Sequence, residues 1–475
     1  MKLESPPITE ADSLERQPQR AILFKDATKA WLLVCGLFAA FSLGLFVYFG
    51  LHYADETQRE VRLLPDLRYD NRVDFGYFYA GAYMTYHGQA ADLYPHKGEW
   101  TYYPGDLIFL EPHSEAELAR LLARGNYYNP PALALLEAPL VSLGFKNAFW
   151  LFSLLAVGAL AGFLTLAWRA GAGIPELPML ALGVLAFSPV HEALIMGHLT
   201  LFFVFVLAAG FLLLRAERRV LAGLTLSLLA LKPQWAILPG LFLLVRGEWR
   251  ALATMVGTAA AIFFLPFVYT GFDTFKNYYE FLRWSGTIDL KEAPHMFSWN
   301  GFLSKLDGSE IQNGQLVLFA DAPSKTLVYG LIALTAVPLL VVWRCKDYLL
   351  GVAATLVEML LISTHSVWYD WAILAVAALF LVLRSRDASR SYRVEMWVVL
   401  LALFMATAQS ISEVLAPDRH AIDWHRAAFF TATPVAFAAL VWMASVPLRE
   451  RGFGFLWRSS ENMRLGEEAA LAAQH

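Results

Sequence analysis

The stretch from Asp70 to Tyr94 contains the residue types best suited to chemistry in this chain. Asp74 stands where a helix N-cap belongs, and Gly88 offers the left-handed residue at which such a helix ends. One predicted face of this helix carries hydrogen-bonding rings: Tyr79, Tyr83, Tyr86 and His87. Flat rings next to one carboxylate suit a sugar, which has an apolar ring face and a rim of hydroxyl groups.

Asp74 can be interpreted in two ways. As an N-cap it would contribute about 0.5–2 kcal/mol of local stability and nothing more. As a general base it would accept the proton of an acceptor hydroxyl, and a capping carboxylate at a membrane surface can do both. Asp66 and Asp70 lie close by and are rivals for the second role.

The composition of the 475 residues places the chain among membrane proteins. It is 57% hydrophobic and 16% charged, with a mean hydropathy of +0.47, whereas soluble domains have about 25% charged residues. The net charge of -4 gives no basic surface for nucleic acid. The chain has 2 cysteines, Cys35 and Cys345, and they support neither a disulfide framework nor a thiolate metal site.

Apolar runs predict an all-α polytopic fold with about 12 transmembrane helices. The first, Ala30–Gly50, is long enough to span and is followed by no cleavage site, so we expect an uncleaved anchor. Further runs follow from Ala148 onward, and those beginning at Leu177, Val220 and Trp235 are short. Short spans occur where helices are broken or packed inside protein.

Charge asymmetry predicts the orientation. One set of short loops carries about 12 basic residues and the opposite set about 3, which places both termini in the cytoplasm. The predicted regions are a cytoplasmic tail (1–29), a multi-pass domain (30–446) and a second cytoplasmic tail (447–475). Long loops at 51–147 and 271–325, each with short helices, then lie on the periplasmic or extracellular face of a plasma (inner) membrane.

Lys232 is the most conspicuous charge among the apolar runs. Pro233 follows it and breaks a helix, so a cation and freed backbone groups would lie together at a natural phosphate site. The alternative is a lysine that extends its charge to the membrane surface from a helix end. His198 precedes a span, where a helix N-terminus also favours anions, although a histidine there is as often structural.

Three other polar residues belong to the same predicted face. Asn300, next to Trp299, could contact a sugar or lipid. His365 is placed to bind a phosphate or orient a carboxylate, and Asp370 opens a late span, where it could simply cap the helix. We interpret the charged cluster from Asp418 to Arg426 as a solvated turn. We see no nucleotide-binding loop, no dinucleotide fingerprint and no zinc-protease or serine-hydrolase motif.

Several short motifs, taken in order, resemble the family 87 glycosyltransferases, membrane enzymes of the GT-C type related to the phosphatidylinositol-mannoside mannosyltransferases. The resemblance covers roughly Asp74 to Leu383. The matching motifs are Asp74-x-x-x-x-Tyr79-Ala80 with Gly88 and Leu93-Tyr94; Tyr128-Asn129-Pro130-Pro131; Gly197-His198; Ala222-Gly223-Leu224 leading to Lys232-Pro233-Gln234; and Tyr369-Asp370. Each motif is weak alone, and their order and spacing carry the likeness.

The resemblance implies inverting transfer of a sugar, commonly mannose, from a polyprenyl-phosphate donor to a lipid or glycan acceptor at the outer face. It makes Asp74 the catalytic base and places Lys232 near the donor phosphate. Tyr79, Tyr128, Asn129 and Gln234 belong to its matching motifs and are candidate substrate contacts. The donor phosphate is already a good leaving group, so no metal or other cofactor is expected.

Two other functional classes stay open at this stage. A transporter or flippase of lipid-linked sugars would also use intramembrane cations and aromatic residues, but we see no internal repeat of the span pattern. A structural or assembly subunit would not need Lys232 or Asp74. The long first loop, rich in tyrosines and helix signals, favours an enzyme.

Overall fold

A computed structural model describes residues 74–94, 127–292, 296–306, 311–312, 315–316, 322–363, 366–407 and 424–452. In this part of the chain the fold is helical apart from one antiparallel ladder of two-residue strands, β1 (Ile311–Gln312) and β2 (Gln315–Leu316). The predicted anchor at 30–50, His365 and residues 418–423 of the charged cluster lie outside the described residues.

Long apolar helices alternate along the chain with short helices. Those of the first half are α1 (Asp74–Tyr86), α2 (Pro131–Glu137), α3 (Phe145–Ala170), α4 (Leu177–Leu185), α5 (Ser188–Ile195), α6 (Thr200–Arg215), α7 (Arg219–Leu226) and α8 (Ile237–Val245). Those that follow are α9 (Trp249–Thr270), α10 (Phe272–Glu292), α11 (Trp299–Leu306), α12 (Ala322–Arg344), α13 (Tyr348–Ile362), α14 (Leu374–Ser385), α15 (Arg390–Ala406) and α16 (Trp424–Arg451). Five 3₁₀ segments connect the described helices: Ala90–Asp92, Ala138–Leu143, Ser227–Leu231, Pro233–Trp235 and Trp368–Ile373.

Within the described residues, 5 stretches are long and apolar enough to cross a membrane. They are Phe145–Ala170, Trp249–Thr270, Thr326–Arg344, Trp368–Ser385 and Ala432–Arg451. A sixth arises if α4 and α5, bent by 44°, count as one broken span. The structure therefore supports a polytopic membrane protein, and the count of about 12 stays a prediction because α6, α7, α8 and α13 are shorter apolar helices.

The stretch Trp368–Ser385 lies at the centre of the bundle. Its α14 part contacts α4, α6, α13 and α15, and 89% of its span window is buried by protein. By contrast α9 is only 17% buried and exposes Val268, Tyr269 and Leu265. An apolar exposed face of this size is what a helix against lipid requires, so α9 belongs to the rim and α14 to the interior.

The predicted helix is confirmed over Asp74–Tyr86, and Gly88 follows its end as predicted; Asp74 is itself helical and residue 73 lies outside the described residues, so its role as N-cap stays a prediction. The helix begins at Asp74, and after its last residue, Tyr86, Gly88 adopts φ +74° with its N–H bonded to the Thr85 carbonyl at 3.1 Å. The rings of the predicted aromatic face lie in different surroundings: Tyr79 is buried, whereas Tyr86 is 51% exposed. The helix packs against α2 and the 3₁₀ segment after it.

The basic ends of several helices meet at one end of the bundle. Arg384, in the last turn of α14, donates to Asp347 at 2.7 Å and to Glu450 at 2.8 Å. Arg246 donates to the Lys346 carbonyl at 2.8 Å. Helices α6 and α14 end there and begin at the opposite end, so Thr200 at the start of α6 and Asp370 in the turn before α14 share the other end of the bundle. Which side of a membrane each end faces stays a prediction.

Candidate active site

Three segments far apart in sequence bring their polar residues to one buried place. They are the start of α6, the break between α7 and α8, and the 3₁₀ turn before α14. We call His198, Thr200, Lys232 and Asp370 the polar cluster. Two of the three segments are helix starts, and the third is the break that Pro233 causes in an apolar run.

The core of the polar cluster is an ion pair between Lys232 and Asp370. The Lys232 Nζ lies 2.8 Å from Oδ1 and 2.9 Å from Oδ2 of Asp370, whose side chain is wholly buried. Lys232 has a non-helical backbone (φ −136°, ψ 78°) between two 3₁₀ turns, and its side chain is buried. Its ammonium also lies 4.0 Å from the centre of the Trp235 ring. The anionic partner expected of a lysine at this depth is therefore Asp370.

Asp370 does not cap the helix that follows it. It lies inside the 3₁₀ turn, and α14 begins four residues later at Leu374, where no side chain caps the helix. Its carboxylate faces Lys232 and Thr200 instead. The alternative that Asp370 is only an N-cap is wrong, because both carboxylate oxygens are engaged across the bundle.

Thr200 connects the ion pair to His198. Its hydroxyl donates to Oδ1 of Asp370 at 3.2 Å and lies 2.7 Å from Nδ1 of His198. The backbone N–H of Thr200 also points to that nitrogen, at 3.2 Å. Sequence reasoning missed Thr200. The available clue was a hydroxyl in the first turn of an apolar span, two residues after the singled-out histidine.

Aromatic rings enclose His198 and connect it to α1. The His198 ring lies 4.3 Å from the Tyr369 ring and 5.6 Å from the ring of Phe78, a residue of α1. The N–H of Phe75 donates to the Met196 carbonyl at 3.0 Å. The turn between α5 and α6 thus contacts the start of α1 directly.

Gly197 is required at this contact. It has φ +61°, and a Cβ built on it would lie 2.6 Å from the Cβ of Phe75. Because a side chain would meet both backbone strain and a clash, glycine allows α1 to approach His198 closely. Asp74, the first and half-buried residue of α1, is joined to the polar cluster through its neighbours Phe75 and Phe78.

The second long loop is joined to the Asp370 turn. The N–H of Phe297 donates to the Ser366 carbonyl at 2.9 Å, and Met296 forms an isolated β-bridge with Val367. The Phe297 and Trp371 rings are 5.5 Å apart. Asn300, in the first turn of α11, is half-buried a few residues further on.

The remaining predicted residues occupy different surroundings. Tyr79 packs against Phe145, with ring centres 5.2 Å apart, in the core between α1 and α3. Gln234 is exposed on the 3₁₀ turn after Lys232. Tyr128 stacks on Phe281 at 5.4 Å. Asn129 accepts a hydrogen bond from the Tyr94 hydroxyl through its backbone carbonyl.

A second buried group forms around Tyr94, Tyr127, Tyr278 and Glu137, and we call it the tyrosine cluster. The Tyr94 and Tyr278 rings are 4.7 Å apart, and phenylalanines of α9 and α10 pack around them. Neither carboxylate oxygen of Glu137 has a hydrogen-bond partner among the described residues. Burial raises the pKa of Glu137 from 4.5 to about 8, so its carboxyl is largely neutral at pH 7.

No group of three or more potential metal ligands occurs in the described part of the chain. What the polar cluster offers is a cation, an imidazole and a hydroxyl, at 2.7–3.2 Å separations, next to the helix that Asp74 begins. This set can bind an anionic oxygen group and orient a proton acceptor.

Comparison with known proteins gives one match. A family model described as glycosyltransferase family 87 matches residues 127–364, half of the chain. The matched region contains His198, Thr200 and Lys232, while Asp74 and Asp370 lie outside it on either side. No curated protein and no solved structure matches the chain.

Proposed function

The chain belongs to glycosyltransferase family 87, and from this membership we propose that it transfers a sugar, most simply mannose, from a polyprenyl-phosphate donor. The acceptor is a lipid or glycan at the outer face of the membrane. Nucleotide sugars are confined to the cytoplasm, so an active site on the outer face needs a lipid to deliver its donor. The orientation follows from the charge asymmetry of the loops.

The observation that supports this proposal is the polar cluster itself. A buried lysine, carboxylate, hydroxyl and imidazole gather at the end of the bundle opposite the basic helix ends, beside α1. Buried charges at membrane depth are costly, and they are usually retained where they bind or react. The site also lies at the ends of apolar helices, which suits a substrate with a lipid tail and a sugar head.

In the proposed reaction the acceptor oxygen attacks the anomeric carbon from the face opposite the phosphate. The new bond between carbon and acceptor oxygen forms as the bond to the phosphate oxygen breaks, and the phosphate leaves with the electron pair. Asp74 takes the acceptor proton as general base. Attack from the opposite face inverts the configuration of the sugar.

Lys232 supports the departure of the phosphate in this scheme. Its ammonium has three N–H donors, and two acceptor oxygens of Asp370 lie within 2.9 Å of it. A remaining N–H can meet a phosphate oxygen while Asp370 holds the side chain in place. His198 lies next to this pair and offers a ring N–H as a second donor.

The direct test gives purified protein in lipid a synthetic polyprenyl-phosphate mannose and measures the release of polyprenyl phosphate. We expect release by the wild type and none by Asp74→Asn, with expression and donor binding retained. Asp92→Asn is the matched control, since Asp92 is an exposed carboxylate shortly after the same helix. Turnover retained in Asp74→Asn would move the base elsewhere. Movement of labelled lipid-sugar across vesicles without glycoside formation would argue for a transporter.

A further inference from the structure

Helix α10 begins at the end of the bundle that holds the polar cluster. Arg246, which donates to the Lys346 carbonyl at the basic end, lies three residues before α9. The 22 residues of α9 rise about 33 Å, close to the roughly 30 Å of a hydrocarbon layer. Gly271, which follows α9 with φ +99°, therefore lies near the opposite surface of the membrane.

Helix α10 does not continue along the axis of α9. Tyr278 follows Phe263 by 15 residues, which would separate the two by about 22 Å along one straight helix. Their ring centres are only 6.0 Å apart. The rings of Phe264 and Phe275 are also 6.0 Å apart. The chain therefore turns sharply at Gly271, and α10 packs against the last turns of α9.

The side chains of α10 divide into three faces, each with the spacing of three and four residues that one side of a helix requires. The buried face, which packs on the tyrosine cluster, consists of Thr274, Asn277, Tyr278 and Phe281. An apolar face that is exposed or half-buried consists of Phe272, Phe275, Tyr279 and Leu282. A charged face that is exposed or half-buried consists of Asp273, Lys276, Glu280 and Arg283.

The apolar face of α10 continues the lipid-facing surface of α9. Phe275 contacts Phe264, which is 53% exposed on α9. Next to it Phe272 is 78% exposed, and Tyr279 is 56% exposed two turns further along α10. Since the exposed side of α9 faces lipid, the rings of α10 that adjoin it meet the same lipid.

The charges of α10 are ordered like the layers of a membrane surface. Lys276 and Arg283 each follow an exposed ring, Phe272 or Tyr279, by four residues, so they lie about 40° round the helix from the apolar face. The two acids directly follow the same rings, about 100° round the helix. In a bilayer the phosphates lie between the acyl chains and water. This order therefore places the cations at the phosphates and the acids in water.

We infer that α10 lies in the plane of the membrane surface and that Lys276 and Arg283 bind the phosphates of anionic phospholipids there. A charged face excludes immersion of α10 in the hydrocarbon layer, and an exposed apolar face disfavours full exposure to water. Among the described residues neither cation has an ion-pair partner, so both can meet a lipid phosphate. The inference goes beyond the proposed function and does not depend on sugar transfer.

The placement of α10 can be tested with a nitroxide attached to one cysteine at a time. Phe272→Cys and Tyr279→Cys label the apolar face, and Asp273→Cys and Glu280→Cys are the matched controls, all in a Cys35→Ser/Cys345→Ser background. In nanodiscs of dioleoylphosphatidylcholine with dioleoylphosphatidylglycerol, the collision rate with oxygen relative to a water-soluble nickel chelate should be at least about twofold higher on the apolar face. Equal ratios at all four positions would overturn the inference.

The phosphate contact needs a local measurement, because other basic residues lie at the far end of the bundle. A donor dye at the Tyr279→Cys position reports energy transfer to acyl-labelled phosphatidylglycerol or phosphatidylcholine. We expect about threefold more transfer to phosphatidylglycerol, since each cation near a membrane surface favours anionic lipid. Lys276→Gln/Arg283→Gln should remove this preference, whereas Asp273→Asn/Glu280→Gln should keep it.

Two results would overturn the phosphate contact. One is equal transfer to both lipids before any charge is changed, and the other is a preference that survives Lys276→Gln/Arg283→Gln. Neither measurement uses the enzymatic reaction. A protein that transferred sugar from no lipid-linked donor would therefore refute the proposed function and leave this inference standing.

Discussion

The polar cluster and the tyrosine cluster differ in how each accommodates a buried carboxylic acid. Both bury a carboxylic acid, but Asp370 is held by Lys232 and Thr200, whereas Glu137 has no hydrogen-bond partner among the described residues. In the first, the Lys232 ammonium and the Thr200 hydroxyl take the place of lost water around the carboxylate. The second loses its charge, since burial raises its pKa to about 8. The paired acid therefore holds a cation in a fixed position, whereas the unpaired acid presents a neutral carboxyl group at pH 7.

The largest expected effect is the removal of the cation from the polar cluster. In Lys232→Met the Asp370 carboxylate stays buried without its partner, and the free energy of unfolding should fall by about 3–5 kcal/mol. Transfer should be lost as well. The double variant Lys232→Met/Asp370→Leu should recover most of the stability, measured by unfolding in detergent, but no transfer. Full activity of the double variant would reduce the pair to a structural role.

The next prediction concerns the neutral acid of the tyrosine cluster, on the seven-residue α2 outside the span candidates. The unfolded chain releases the Glu137 proton near pH 4.5, whereas the folded protein keeps it until about pH 8. The unfolded state then binds fewer protons in between, so stability falls as pH rises from 4.5 to 8, by at most about 1.4 kcal/mol per unit. Glu137→Gln should lack this slope when unfolding is measured across that range. Parallel curves for the two proteins would show that Glu137 ionises normally.

A smaller effect should follow from removing the hydroxyl that links His198 to Asp370. Thr200→Val has nearly the same shape but cannot donate to the carboxylate, so it should cost about 1.5–3 kcal/mol of stability. Thr200→Ser keeps the hydroxyl and is the matched control. We also expect Thr200→Val to slow transfer about tenfold, which corresponds to about 1.4 kcal/mol, with recovery in the serine variant. Equal behaviour of the two variants would mean that the hydroxyl is dispensable.

The smallest effect tests how tightly α1 packs on the tyrosine cluster. A Cβ added at Gly81 would lie 2.5 Å from the Tyr127 ring, so Gly81→Ala should destabilise the protein by about 1–3 kcal/mol. Gly158 of α3 has nothing within 4 Å of such an atom. Gly158→Ala should therefore be neutral or stabilising by up to about 1 kcal/mol. If the two substitutions shifted the melting temperature equally, the close contact would be absent.

Local chemistry made some of these features predictable from sequence. Gly88 marks the end of α1 because its preference for a left-handed backbone acts without tertiary contacts. Pro233 breaks the apolar run at Lys232 for the same kind of reason. The helical membrane class follows from composition alone, and the family resemblance agrees with the matched family.

The pairing within the site was beyond sequence reasoning. Lys232 and Asp370 are 138 residues apart, and no local pattern says which acid a buried lysine will meet. Asp370 was expected at a helix start, where capping explains an aspartate equally well. The burial of Glu137 depends on how α2 packs against α1 and α9. Tertiary packing determines the partner of Lys232, the surroundings of Asp370 and the burial of Glu137.

The burial of Trp368–Ser385 within the bundle has a consequence for the lipids around it. Helices that face lipid must tilt or bend when the thickness of the hydrocarbon layer changes. α14 touches protein on nearly all sides, so such adjustments reach it only through its neighbours. We therefore expect bilayer thickness to alter the slant of α3 and α9 while the spacing between Asp370 and Lys232 stays constant. The reaction centre would then work alike in thin and thick membranes.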